Sequence, residues 1–380
     1  MKKGFLVIGI LIMSMNSLYQ YSWNVFEPLL KTGLGVTLIQ VQVGFSLFAI
    51  FSTGFQGVGG YFADKKGPRN IGIISSILSA AGFLGTSVSG NLTMFYIFWS
   101  LGSIGEGILY GIATNLAVKW FKENRGLAVG FVSFGFGLGA AVANIFLLKT
   151  TSFREPMLII GLTELILFPI LLSKVRYPEK QVTGDRPSRN LRNRRFWILY
   201  VSFVLGAVPL IVISSSFGIL GKRIPILEFT ILVSLFPLLS GISRPILGFF
   251  SDRIGRIRMV SIIDIFLIIG SLLLLNGYLL ESIVLIGFFG GSMISQYMSL
   301  IGDIFGTKFS TSNNGVFYTG KAISGFIGSA FFSALFIVNE TESLQFILIC
   351  VVVALGFLLL STYEKGRPGK GTIDQEMDLK

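Results

Sequence analysis

The chain has 380 residues, of which 52% are hydrophobic and only 13% charged, and its mean hydropathy is +0.76. Soluble domains carry about a quarter charged residues, so this composition excludes an ordinary soluble fold and points to a polytopic membrane protein. The formal charge of +12 would suit nucleic acid, but the basic residues lie in loops between long apolar stretches, which is the pattern of membrane topology, and no nucleic-acid partner is expected.

Taken in order, the apolar periodicity predicts twelve spans, at roughly 4–30, 38–62, 70–89, 93–118, 126–148, 156–173, 196–220, 227–250, 259–278, 282–305, 315–338 and 344–363. The first continues well past a signal-peptide core and lacks a small-residue cleavage site, so it reads as a retained span. With the N-terminus placed inside, 24 of the 31 Lys and Arg fall in inside segments and five in outside loops (Lys31, Lys149, Arg154, Lys222, Arg223), which predicts both termini cytoplasmic. The remaining two, Arg244 and Lys321, fall within spans. Residues 174–195 are basic, carry two prolines and have no apolar period, so they read as a flexible cytoplasmic linker, with anionic lipid heads as the simpler role for their charge. It divides residues 1–173, a first six-helix bundle, from residues 196–363, a second, and a cytoplasmic tail follows at 364–380. The halves echo each other. GYFADKKGPR at 60–69 matches GFFSDRIGRI at 248–257, and NRGLAVGFVSFGFG at 124–137 resembles NNGVFYTGKAISGF at 313–326, at offsets of 188 and 189. Two matches at nearly one offset predict a duplicated six-helix unit, an all-α fold of two pseudo-symmetric bundles.

Histidine is absent and the single cysteine, Cys350, lies in the last apolar stretch, which excludes His-based catalysis, zinc chemistry and a disulfide framework. No Walker pattern occurs, so an ATP-driven pump is disfavoured. With no nucleophile–base or metal constellation, the chain reads as a non-enzyme without cofactors.

Arg244 and Lys321 are the first candidates for function. A cation at the centre of a membrane helix costs roughly 2.5–3.5 kcal/mol on insertion scales, so it normally faces a wet cavity or a partner. Arg244 precedes Asp252 by eight residues, about 12 Å of helix, and Lys321 follows Gly315 by six, about 9 Å. Two cations at similar depth make an anion site, in which the planar Arg fork holds a carboxylate and Lys adds a point charge. The competing reading is a structural ion pair with Glu106 or Asp264. Glu106, in the fourth span, is expected either to carry a proton or to neutralise one of the cations; Glu164 and Asp264 read as satisfied helix–helix contacts or cavity edges. In NSLYQYSWN (16–24), Asn16 and Gln20 share a face with Tyr21 beside them; Gln56 and Tyr110 are similar inward candidates. Each aromatic alone fits core packing, but as a set with two buried cations they outline a cavity. Clustered glycines in the fifth and eleventh spans (Gly126, Gly130, Gly135, Gly137, Gly139; Gly315, Gly320, Gly325, Gly328) allow close helix contact, whether for packing or for rocking.

The repeated loop resembles the paired cytoplasmic motif of the major facilitator superfamily. QYSW (20–23), ILYGIATNLAVKWF with NRGLAVGF (108–130), SRPILGFFSDRIGR (243–256), DIFGT (303–307) and NNGVFYTGK (313–321) resemble the oxalate–formate antiporter family, related to monocarboxylate transporters. The resemblance implies that Arg244 and Lys321 bind substrate carboxylates and that Gln20, Tyr21, Gln56 and Tyr110 line the cavity. It also implies that Asp64 with Lys65 and Arg69, and Asp252 with Arg253 and Arg256, latch the cytoplasmic side in the outward-open state. Three departures stand out. Gly290 and Ile294 replace tenth-span aromatics, Phe136 replaces a fifth-span tyrosine, and Glu106 replaces a small or apolar residue. A roomier, less aromatic cage with an extra titratable group is therefore expected. The combined expectation is a monomeric, multi-pass cell-membrane transporter of small mono- or dicarboxylates, working by anion exchange through alternating access. Proton-coupled symport through Glu106 is the alternative, and drug efflux is weaker because two buried cations oppose it.

Overall fold

The computed structural model describes residues 2–121, 123–178, 184–220 and 225–363. The tail 364–380, linker residues 179–183, and Lys122, Lys222 and Arg223 lie outside the described residues. Among the described residues, eleven helices are long and apolar enough to cross a membrane, and a bent helix pair makes up to twelve spans. We label them α1 (Lys2–Gln20), α2 (Trp23–Leu34), α3 (Leu38–Lys66), α4 (Pro68–Ser87), α5 (Leu92–Trp120), α6 (Arg125–Leu147), α7 (Arg154–Leu172), α8 (Arg194–Leu220), α9 (Leu227–Ile254), α10 (Arg256–Leu275), α11 (Leu279–Phe305), α12 (Ser310–Val338) and α13 (Glu340–Thr362). The predicted first span is thus two helices, bent by 44° at Tyr21–Ser22.

Local chemistry sets several ends. Thr37 and Gln40 form a capping box that starts α3, and the Asn91 side chain accepts from the Met94 N–H to start α5. The repeated loop motif performs the same turn twice: Gly67 (φ 87°) joins α3 to α4 and Gly255 (φ 96°) joins α9 to α10, a backbone conformation that favours glycine. Residues Ile286–Gly290 in α11 and Ile327–Phe331 in α12 form π turns, which offset the backbone carbonyls that follow.

The most extensive helix contact is α6 against α9, and glycine makes it possible. A Cβ on Gly130 would lie 2.5 Å from the Arg244 carbonyl oxygen, and one on Gly137 would lie 2.4 Å from Gly241 Cα. Gly135 and Gly139 face the other way, against the backbone of Ile10 and Ser14 in α1. A second seam joins α3 to α12, where a Gly315 Cβ would lie 2.5 Å from Gly57 Cα. Large apolar side chains such as Ile74, Phe146, Ile166 and Leu360 stay exposed on the outer faces, as lipid-facing residues do.

The described parts of 174–195 are docked rather than free. The Asp185 N–H donates to the Phe305 carbonyl (2.9 Å), Asn313 Nδ2 donates to the Asp185 carbonyl (2.9 Å), and Trp120 Nε1 donates to the Arg176 carbonyl (3.0 Å). The charge pattern concealed this, because the contacts use backbone groups. Burial and the neighbouring Asp64 push the Tyr177 phenol above its ordinary value.

Candidate functional site

The ring of Phe136 on α6 is the hub of the site. Arg244 Cζ lies 5.3 Å from its centroid and Lys321 Nζ 5.9 Å, so both intramembrane cations flank one ring. Tyr21 and Tyr110 meet the same ring edge-on at 5.2 and 5.5 Å.

Arg244 is 1% exposed and is held by neutral groups. Nε donates to the Gly291 carbonyl (2.9 Å), just past the π turn of α11, and Nη1 to the Ser133 carbonyl (2.8 Å). Nη2 makes longer contacts, 3.3 Å to the Tyr21 hydroxyl and 3.4 Å to Ser240 Oγ, and these two hydroxyls are bonded to each other at 2.7 Å. The two carbonyls fix the plane of the fork, and its loosest edge faces Tyr21 and Ser240.

Lys321 is also 1% exposed. Its ammonium lies 5.1 Å from the Phe48 and Tyr318 rings and 6.0 Å from Tyr110, with Phe136 as the fourth wall. Tyr110 and Tyr318 stack at 5.0 Å. Among the described residues, none of the ion pairs involves Arg244 or Lys321. A desolvated cation over aromatic faces gains ~2 kcal/mol or more per strong contact, which lowers the cost of holding a bare ammonium without supplying a counterion. The surroundings of Lys321 are therefore aromatic after all. Gly290 faces Leu210 and Leu267 rather than the cations, and the rings come instead from α3, α5, α6 and α12.

Glu106 is fully buried one turn before Tyr110. Ser52 Oγ donates to its Oε2 (2.6 Å), Oε1 has no partner, and Lys321 acts on it electrostatically without reaching ion-pair distance. Asp264 lies elsewhere, near Gly206 and Tyr297, so it is no partner for either cation. Both of its oxygens lack hydrogen bonds, so of the two roles expected for it, satisfied contact or cavity edge, the first does not hold. Glu164 accepts from Ser79 Oγ (2.7 Å) at one oxygen only.

Gln56 packs beside Gly111, next to Tyr110; Gln20 makes no hydrogen bond or ring contact to the Phe136 cluster. Both are 1% exposed, and both ends of each amide are unpartnered. Orphaned buried polar atoms cost about 1–3 kcal/mol each, so the unpartnered Gln56 amide next to Tyr110 is chemistry suited to a ligand.

Toward the ends of α3 and α9 lies a second charged cluster. Asp64 accepts from the Ser312 N–H and hydroxyl at 2.9 and 2.7 Å, at the N-terminus of α12, and pairs with Lys119 at 3.0 Å. Asp252 accepts from the N–H groups of Gly126 and Leu127 at 3.1 and 3.0 Å, at the N-terminus of α6, and pairs with Arg256. Each aspartate thus caps a helix from the other half of the chain. Asp303 ties Arg125 to Arg256. Three of the residues expected here stay out of these contacts: Lys65 lies over Tyr61 and Arg253 over Phe249 on their own helices, and Arg69 is exposed. Lys119, Arg125, Asp303 and Ser312 are the participants that sequence reasoning passed over. Asp303 and Ser312 sit within or beside the DIFGT and NNG stretches, a signal that was available.

On the opposite side, Asn24 Nδ2 donates to the Ser214 carbonyl (2.9 Å), Gln42 Nε2 to the Ser215 carbonyl (2.8 Å), and Ser46 bonds Ser329 (2.8 Å). Polar contacts thus tie the helices together on both sides of the central cations.

Two buried cations at the meeting of membrane-length helices, with polar ties on either side, mark a helical membrane protein with a charged centre. The sequence profile of the Major Facilitator Superfamily matches residues 6–219 and 202–377, and the chain belongs to that superfamily. An uncharacterized 38 kDa protein in the 23S RNA operon of Thermoproteus tenax is 41% identical over 93% of this chain and 94% of its own length. The oxalate:formate antiporter of Oxalobacter formigenes is 32% identical over 96% of this chain and 93% of its own. The crystal structure of the human organic anion transporter MFSD10 has the same fold, with a TM-score of 0.70 at 14% identity, covering 95% of this chain and 99% of that one. The superfamily is one of transporters rather than enzymes, and the protein is a multi-pass membrane transporter.

Proposed function

We propose that the protein is a secondary active transporter of small organic anions, mono- or dicarboxylates of the oxalate and formate type, that exchanges one for another by alternating access. In this reading residues 1–173 and 196–363 are two pseudo-symmetric six-helix bundles, both termini are cytoplasmic, and the protein works as a monomer. Arg244 and Lys321 bind the carboxylates; Gln20, Tyr21, Gln56 and Tyr110 line the cavity; Asp64, Asp252 and Arg256 latch the cytoplasmic end. One observation carries the reading: two intramembrane cations flank one ring with only neutral groups in direct contact. The antiporter relative, similar along nearly the whole chain, supports it. The test is counterflow in proteoliposomes loaded with formate or oxalate. Wild-type protein exchanges external labelled carboxylate for internal, and Arg244→Ala and Lys321→Ala do not; equal rates in all three would end the assignment.

Proton-coupled symport is the second reading, favoured by Glu106, a buried carboxyl acted on by Lys321. It predicts uptake that rises with an inward proton gradient and loses that response in Glu106→Gln.

A further inference from the structure

Glu106 sits between two glycines, and both are needed where they are. A Cβ on Gly105 would lie 2.3 Å from the Ser75 carbonyl oxygen of α4, and one on Gly107 would lie 1.7 Å from the Ser52 carbonyl oxygen of α3. The backbone of α5 is thus pressed against both neighbours at this level. Ser52 is brought onto the carboxylate at 2.6 Å, and Asn16 Nδ2 holds the Glu106 carbonyl at 3.0 Å. The carboxylate is held by Ser52 of α3, its backbone by Asn16 of α1, and it is fully buried, while its second oxygen has no partner. Lys321 acts on it electrostatically without forming a contact pair, and Lys321 in turn feels both Glu106 and Arg244.

We infer that Glu106 is a resident counterion that sets the charge of the cargo, so that the site takes a monoanionic carboxylate in preference to a dianion. The inference rests on reading this compartment as the carboxylate site. An occluded compartment has a low effective dielectric constant, and each uncompensated charge there is costly. Arg244, Lys321 and an ionised Glu106 leave one positive charge. A monocarboxylate brings the occluded complex to neutrality. A dicarboxylate dianion overshoots by one charge and meets Glu106 as a like charge, so it enters only with a proton, on itself or on Glu106. The geometry assigns the groups as well. The carboxylate docks on the loose Nη2 edge of Arg244, replacing the 3.3 and 3.4 Å contacts to Tyr21 and Ser240, and Lys321 is shared between the cargo and Glu106.

The experiment compares formate and acetate with oxalate and malonate on the purified full-length protein at neutral pH, reading half-saturating concentrations from thermal stabilisation and from counterflow. Wild-type protein prefers the monocarboxylates. Glu106→Gln shifts the dicarboxylate-to-monocarboxylate preference toward the dianions by about tenfold or more, and Glu106→Asp keeps the wild-type ratio. Ser52→Ala, a milder change that removes one bond to the carboxylate, shifts the ratio in the same direction and serves if Glu106→Gln fails to fold. An unchanged ratio in Glu106→Gln or Ser52→Ala overturns the inference while the anion site stands, as does wild-type uptake of oxalate dianion without proton uptake. If no carboxylate stabilises wild type and the Arg244 and Lys321 variants behave like it, the anion reading falls and this inference with it.

Discussion

The protein holds two charged clusters that solve the same electrostatic problem in opposite ways. In the outer cluster, Asp64, Asp252 and Asp303 meet Lys119, Arg125 and Arg256 directly, and helix N-termini donate to Asp64 and Asp252. In the centre, Arg244 and Lys321 touch carbonyls, hydroxyls and rings, and the nearest acid is held back by Ser52. Under the proposed function the difference follows from what each cluster does. A latch is strongest when its charges satisfy one another. A site that must accept and release an anion cannot keep its own carboxylate in contact, so it uses dipoles and ring faces to hold the cations in place.

The sharpest way to break this comparison is to remove a central cation. Arg244→Ala is expected to lower carboxylate exchange by about 30-fold or more, since losing one partner of a buried charge-assisted pair costs about 2–5 kcal/mol. Arg244→Lys should not restore it, because an ammonium cannot replace a fork held by two carbonyls. Labelled counterflow checks both. In the latch, Asp303→Asn leaves Arg125 and Arg256 without a shared partner, and a loss of about 1–3 kcal/mol in stability is expected, read as a lower melting temperature. Cysteine accessibility from the cytoplasmic side should rise in the same variant while substrate affinity stays near wild type. A loss of affinity instead would mean that the two clusters are not separable.

Gly137→Ala tests the seam that joins them. Its Cβ would meet Gly241, so α6 and α9 must part, at a cost of about 1–3 kcal/mol. The smallest effect is expected at Asp264. Replacing this unpartnered buried carboxyl by Leu should leave exchange intact and raise stability by about 1 kcal/mol in a melting assay. A fall in stability would reveal a partner for the carboxyl.

Apolar runs were enough to count the spans because length and hydropathy are local properties. The bend at Tyr21–Ser22 was hidden because NSLYQYSWN contains neither Pro nor Gly, and it is held by contacts from elsewhere: Asn144 Nδ2 donates to the Tyr21 carbonyl at 3.1 Å. Arg244 and Lys321 stood out because cations are rare in apolar runs. Phe48, Ser133, Ser240 and Tyr318 did not, because apolar and hydroxyl residues are unremarkable there. Tyr318 lies one turn before Lys321, so the aromatic lining could have been partly read from helical spacing. The pairing of Asp303 with Arg125 spans 178 residues, beyond any local pattern.

The bend in the first span also has a mechanical meaning. Helix α2 has 12 residues, about 18 Å of rigid rod pivoted at Ser22. A turn of about 20° there would swing its far end by about 6 Å while α1 stays packed on α5 and α6. That rod carries Asn24, which is bonded to the Ser214 carbonyl, and Pro28 and Lys31, which border a cleft with Gly218 and Phe229. The pivot lies beside Tyr21, whose hydroxyl touches Arg244. The lever is long relative to its pivot, so any turn at Ser22 would be magnified at the far end of α2.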